Sequence, residues 1–253
     1  VRTSSLFSFI FLIYSLKVEA IYNAKILNNN EEPNAIYYSI NSTECGGVFV
    51  DSDTILTAAH CLHDDNAKKM KASSIAIYYK SHSDSVYYRV LKILINPNFK
   101  MLPNDKFTNL DVKNDLALIK IQYHKTIFNR KEPPIQSYVE PFVFDGGGEK
   151  LKLISMGPTK SGIAEKKSIG LYDSFKFVAS DSYLELHPDI SNSVCKGDSG
   201  NGLYVLDQDG TSKLIGLTSA VNVNCGEKNQ MAFVVTFNDQ MDWLEKSIQE
   251  LKN

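Results

Sequence analysis

Neither sign of charge dominates this chain. Lysine and arginine total 27 residues against 29 aspartates and glutamates, a formal net charge of -2. Nucleic-acid partners require a concentrated basic face, so that class of ligand is excluded. Long apolar runs are also missing. The one candidate, Leu6 to Leu16, is far shorter than the roughly 20 residues that cross a bilayer. There is no internal repeat and no low-complexity segment. Cysteine is scarce, with four in 253 residues, and tryptophan occurs once. What remains is an ordinary globular composition, 43% hydrophobic and 22% charged, with enough length for one large domain or two small ones.

The short apolar run has a different meaning. Arg2 is the only charge ahead of it, and Val18-Glu19-Ala20 follows with small residues at -3 and -1 of a cleavage point. Residues 1–20 therefore read as a signal peptide, and the chain as secreted and extracellular. A buried strand or anchor is the bland alternative. Export makes disulfides the expected state of an even number of cysteines, and four cysteines permit three pairings. Asn41-Ser42-Thr43 is a glycosylation acceptor in a segment read as a loop.

Strand signals fill the rest. Gly47 to Val50 and Ile55 to Thr57 flank Asp51-Ser52-Asp53, the pattern of a hairpin. Ile75 to Tyr79, Val86 to Ile95, Leu116 to Ile121, Leu151 to Ser155, Phe175 to Ala179, Tyr183 to Leu186, Gly202 to Leu206, Leu214 to Thr218 and Met231 to Phe237 continue it. Short strands separated by turn residues predict an all-β barrel or sandwich. One helix closes the chain. Met241, Leu244, Ile248 and Leu251 recur at helical spacing, with Asn238 or Asp239 as the cap. Pro133-Pro134 and Gly146-Gly147-Gly148 bracket the expected linker between two β halves.

Three short segments carry chemistry. Ser199 stands between Gly197 and Gly200, in Cys195-Lys196-Gly197-Asp198-Ser199-Gly200. Glycine before a nucleophile lets the Gly197 and Ser199 N–H groups turn into one space, an oxyanion hole. Taken alone, the motif is equally a polar surface turn. The α/β-hydrolase elbow fits less well, because position 201 is Asn where that motif has glycine. His60, in Thr57-Ala58-Ala59-His60-Cys61, follows an apolar strand and small neighbours that let a ring approach a cleft. Metal binding by His60, Cys61 and His63 is the competing reading, but no fourth ligand has sensible spacing. Asp115 opens an apolar strand and needs hydrogen-bond partners there, for which a histidine N–H is suited. A serine hydroxyl becomes a nucleophile when an imidazole takes its proton and a carboxylate orients that imidazole.

Together these segments resemble the secreted chymotrypsin/trypsin family of serine proteases, over nearly all of residues 26–253. The resemblance implies His60 as general base, Asp115 as its orienting carboxylate and Ser199 as nucleophile. It also implies two six-stranded antiparallel β-barrels with a C-terminal helix: a first half at 26–135 and a second at 136–253, one peptidase domain in all. It pairs Cys45 with Cys61 and Cys195 with Cys225. It places an activation cut after Lys25, in Lys25-Ile26-Leu27-Asn28-Asn29, leaving 21–25 as a pro-segment. The freed Ile26 ammonium would then pair with Asp198. Protein or peptide substrates and proteinaceous inhibitors are the implied partners, with a monomeric chain, no cofactor and no metal.

The sequence departs from that pattern around the specificity pocket. Ser193 stands six residues before the nucleophile, where an aspartate would select Arg or Lys. Ser219-Ala220-Val221 replaces the usual Ser-Trp-Gly, and Ala232 stands opposite in place of glycine. A small or restricted pocket follows. The common glycine and proline after the serine motif become Asn201 and Gly202. The segment from Gly157 to Ser191 is short, with no room for the intermediate helix seen in many relatives. The expected function is a secreted serine endopeptidase made as a zymogen. The alternative is a weakly active or inactive homologue that binds a protein partner.

Overall fold

The computed structural model describes residues 25–26, 34–40, 43–64, 66–72, 76–80, 85–101, 112–122, 150–158, 164–172, 175–178, 183–188, 193–206, 212–224 and 226–252. The expected signal peptide, Asn41, the bracketed linker and Cys225 lie outside these residues.

Fourteen strands occur among the described residues. In chain order they are β1 (Lys25–Ile26), β2 (Ala35–Ile40), β3 (Thr43–Asp51), β4 (Thr54–Thr57), β5 (Ala76–Lys80), β6 (Ser85–Ile95) and β7 (Ala117–Ile121). Then come β8 (Leu151–Pro158), β9 (Ala164–Tyr172), β10 (Phe175–Val178), β11 (Tyr183–Leu186), β12 (Gly202–Leu206), β13 (Ser212–Val221) and β14 (Ala232–Thr236). A single α-helix, α1 (Met241–Lys252), ends the chain. The first half forms a six-stranded sheet in the order β2-β3-β4-β7-β6-β5, and β5 packs back against β2. The second sheet runs β1-β9-β8-β12-β13-β14-β11-β10. All its pairings are antiparallel, so the all-β class stands. This sheet has eight strands instead of the expected six, because β1 adds to one edge and β10 to the other.

Side-chain alternation explains the two-layer core. Ile55, Ala117, Ile119 and Ile121 point into the first sheet's own core, while Leu56, Leu116 and Leu118 point the other way. In the second sheet Leu151, Leu153, Leu203, Ile215 and Val234 fill one core, while Ile154, Tyr204, Leu214, Leu217 and Val235 turn out of it. The outward sets of both sheets meet each other and the Leu244, Ile248 and Leu251 face of α1. Strands buried on both faces read as continuous apolar runs, which is why the hairpin and β13 show so little alternation in sequence.

The helix begins at Met241, so Gln240 occupies the position before it. Its side chain bonds inward to the loop ahead of β7. Asn96 Nδ2 donates to Gln240 Oε1 at 2.6 Å, and Gln240 Nε2 donates to the Lys113 carbonyl and Asn114 Oδ1 at 3.2 Å each. Helix and loop are thereby held together just before Asp115.

Cys45 in β3 is bridged to Cys61 in the short 3-10 helix Ala59–Leu62. The bridge closes a loop of 16 residues. Constraining the unfolded chain over such a length stabilises by about 3 kcal/mol. The double substitution Cys45→Ala/Cys61→Ala is expected to cost about that much, read as a fall in the urea midpoint with a steeper slope, because the unlinked unfolded chain exposes more surface.

Candidate active site

The three predicted catalytic residues come from three chain segments at the seam between the sheets. His60 lies in the 3-10 helix after β4, Asp115 lies just before β7, and Ser199 lies in the turn leading to β12. Asp115 is fully buried. Its Oδ2 accepts from His60 Nδ1 at 2.7 Å and from Ser219 Oγ at 2.5 Å. Its Oδ1 accepts the backbone N–H of His60 at 2.8 Å. Burial alone would push this carboxyl up; the His60 charge and these three hydrogen bonds outweigh it and hold the group below the usual carboxylate range. With Nδ1 donating to a carboxylate, Nε2 is the basic nitrogen of the neutral ring.

Ser219 links the nucleophile to the carboxylate. Its hydroxyl is spent on Asp115, while its carbonyl lies 3.4 Å from Ser199 Oγ. The register of β13 against β14 slips between Thr218 and Ala220, so Ser219 is the bulged residue. A bulge re-aims a side chain, and here it turns a strand serine towards the opposite sheet. Sequence reasoning placed Ser219 on the pocket wall. Its hydroxyl also serves the carboxylate, a role the sequence reading did not assign.

The nucleophile's backbone is tied to the first sheet. Gly46 N donates to Ser199 O at 2.7 Å, and Gly200 N donates to Thr218 O at 2.7 Å. Thr57 Oγ1 donates to Gly46 O at 2.8 Å, so the buried Tyr38 hydroxyl must be the donor in its 2.5 Å bond to Thr57 Oγ1. Burial is the main cause that raises the Tyr38 pKa and keeps this donor protonated. Gly200 has φ +84, and a Cβ there would lie 2.3 Å from Gly46 O. Gly197 has φ +98. Among the described residues, neither the Gly197 N–H nor the Ser199 N–H donates a hydrogen bond. Two unspent donors beside a nucleophile suit an oxyanion.

Val221 and Ala232, the two expected pocket walls, are direct partners across β13 and β14. Ala232 is fully buried and Val221 packs against the same apolar cluster. Ser193 is fully buried as well. The missed residue here is Gln230. Its buried amide donates to the Val194 carbonyl at 2.9 Å and accepts from Val194 N at 2.8 Å. It pins the segment after Ser193 to the strand bearing Ala232.

Ring nitrogen and sulfurs of His60, Cys45 and Cys61 lie within 4.8 Å of one another, a spacing that would suit a metal. Both sulfurs are joined in the disulfide and offer no thiolate. The ring of His63 is directed elsewhere, with Nδ1 2.9 Å from the Ala59 carbonyl. Cys195 is disulfide-bonded, and its expected partner Cys225 is outside the described residues. Among the described residues, no helix is long and apolar enough to cross a membrane.

The lowered Asp115 pKa has a sign that can be tested. Its stabilising contribution is present above the ordinary value of 3.8 and is lost as pH falls through the lower folded value. Asp115→Asn should flatten the loss of stability below pH 3.8, measured by thermal unfolding across an acid series. A wild-type and variant pair with parallel acid slopes would contradict it.

Comparison with known proteins agrees with this geometry. The trypsin family profile matches residues 27–244. Kallikrein 1-related peptidase b3 of Mus musculus is 26% identical over 246 residues, covering 88% of this chain and 87% of the relative. Serine protease SP24D of Anopheles gambiae is 23% identical over 221 residues, covering 82% and 73%. Kallikrein-1E2 of Equus caballus is 24% identical over 230 residues, covering 82% and 81%. A match over most of the length, on a strand-rich fold with a His–Asp pair at its seam, identifies this chain as a member of the trypsin family.

Proposed function

We propose that the protein is a secreted serine endopeptidase that cuts peptide bonds through an acyl-enzyme, with His60, Asp115 and Ser199 as its triad. The observation that carries this reading is the 2.7 Å contact of His60 Nδ1 with the buried Asp115 carboxylate. Ser219 stands beside both Ser199 and that carboxylate: its carbonyl accepts from Ser199 Oγ at 3.4 Å and its hydroxyl donates to the Asp115 carboxylate. In the reaction His60 Nε2 takes the Ser199 proton as Oγ attacks the scissile carbonyl. The oxyanion is met by the Gly197 and Ser199 N–H groups, and the proton passes from His60 to the leaving amine. Water then repeats the sequence on the acyl-enzyme.

Removing the nucleophile tests this directly. Ser199→Ala should lower kcat by about 10⁴-fold or more and abolish labelling by a fluorophosphonate probe. Full activity in the variant would refute the assignment. Absence of labelling in folded wild-type protein, after verified cleavage at Lys25–Ile26, would favour a homologue that binds a partner without cutting it.

The pocket reading is a restricted S1 site formed by Ser193, Val221 and Ala232. It is supported by the pairing of Val221 with Ala232, which puts two side chains where smaller residues would leave space. No carboxylate stands at position 193 to receive a cationic P1 residue. A peptide library is expected to give small aliphatic P1 residues. Preference for Arg, Lys or a large aromatic would overturn this assignment while leaving the triad untouched.

A further inference from the structure

On the protease reading, the two halves of a substrate leave the nucleophile in different directions. The acyl half lies on the side of β13, where the Ser219 carbonyl stands 3.4 Å from Ser199 Oγ and Val221 is paired with Ala232 beyond it. The leaving half lies on the side of the imidazole, because His60 Nε2 hands it the proton. That nitrogen is 3.7 Å from Cys61 Sγ, and Cys61 is bridged to Cys45 of β3. The chain after the cut therefore departs over the disulfide and the start of β3.

Residue 44, just before that cysteine, is a glutamate. Side chains two apart on a strand share a face, so Glu44 points to the same side as Gly46. That side looks at the turn bearing the nucleophile. Gly46 N donates to Ser199 O at 2.7 Å, and a Cβ on Gly46 would collide with the Asn201 amide, whose Nδ2 donates to Ser155 Oγ at 2.9 Å. Glu44 meets the same turn farther along. Its Cβ lies 3.8 Å from where a Cβ on Gly197 would stand, and Gly197 offers one of the two free N–H groups beside Ser199. An anionic side chain thus borders this turn on the side where the leaving half exits.

The carboxylate is held there. Tyr37 lies opposite Gly46 in the pairing of β2 with β3, which places it diagonal to Glu44 on one face. Its hydroxyl is hydrogen-bonded to Glu44. Burial first, then this bond and the Glu44 charge, raise the Tyr37 pKa and keep the phenol a donor. One phenol leaves most of the carboxylate's acceptor capacity unused, since its two oxygens offer about four sites. Glu44 is half-buried, and among the described residues no lysine or arginine is ion-paired with it. Lys196, next to Gly197, is exposed and makes no such pair. An anion close to a developing oxyanion is unfavourable by itself, and a cation arriving with the substrate offsets it.

We propose that Glu44 is a specificity-determining residue that receives a lysine or arginine side chain at the first or second residue after the scissile bond. This rests on the protease reading of the site. Successive residues of an extended chain advance by about 3.3 Å and alternate in direction, so one of these two positions faces Glu44. Position 193 offers no carboxylate to a cation before the cut; position 44 offers one after it.

The test uses protein whose cut after Lys25 is verified by N-terminal sequencing. Its substrates are peptides with Ala before the scissile bond and Lys, Gln or Glu at one of the two positions after it. The readout is the ratio of kcat/KM for Lys over Gln at the better position. Wild type is expected to give about fivefold, the scale of one partly exposed ion pair. Glu44→Gln, which keeps the shape of the side chain, should bring the ratio to about one, and Glu44→Lys should favour the Glu peptide over the Lys peptide. Tyr37→Phe, which frees the carboxylate to move, should lower the ratio by about twofold. Salt at about 0.5 M should shrink the wild-type ratio, which a purely steric preference would not do. A wild-type ratio near one at both positions would overturn the proposal, as would a Lys preference that survives Glu44→Gln. If the wild type cuts none of these peptides, the fault lies with the protease or pocket reading, and their binding to the same folded protein, followed by fluorescence anisotropy, decides. A Lys preference in binding that Glu44→Gln removes supports the subsite. Equal binding of the Lys and Glu peptides overturns it.

Discussion

The buried negative charge of Asp115 is the constraint around which the two sheets are arranged. A carboxylate without water must be given donors, and no single sheet supplies them all. His60 contributes its ring and its backbone N–H from the first half, and Ser219 contributes a hydroxyl from the second. The hydrogen bond that orients the imidazole therefore also helps register one half of the molecule against the other. Displacing either half strands the charge, and a buried charge stripped of a partner costs about 3–5 kcal/mol. Geometry needed for chemistry and geometry needed for assembly are here the same geometry.

The fold was legible wherever strands are buried on both sides, because apolar runs such as Ile55 to Thr57 and Leu116 to Ile121 leave no other reading. It was less legible at the margins. The strand β9, Ala164–Tyr172, is rich in lysine and carries no period-2 pattern. It is held by backbone pairing to β8 and β1, an interaction to which its side chains give little clue. The strand β2 follows a polar Asn, Glu and Pro stretch that reads as loop and hides the start of Ala35–Ile40. The eighth member of the second sheet comes from the far end of the sequence, a non-local pairing that no local pattern encodes.

At the site, the residues that react stood out because their motifs are compact. The residues that support them did not. Ser219 and Ser155 lie in largely apolar strands and Gln230 ends a polar turn, and their roles depend on partners dozens of positions away. Asn201 drew notice only as an interruption of a motif. In three dimensions that interruption is a member of the network around Asp198. Polar side chains at non-polar positions have meaning only once their partners are known, because each pair satisfies a desolvation cost that neither member shows alone.

The contact between Gly46 and Asn201 has a consequence for descent. An asparagine at 201 forbids every side chain at 46, since even a methyl group would collide with its amide oxygen. A glycine at 201 would lift that prohibition and leave an empty space beside Ser155. The two positions, 155 residues apart in the chain, are therefore not free to drift separately. Their substitution effects are non-additive, as expected for residues in direct contact. While asparagine stands at 201, a substitution at 46 alone has to displace that amide, so the pair can change only together or in a fixed order.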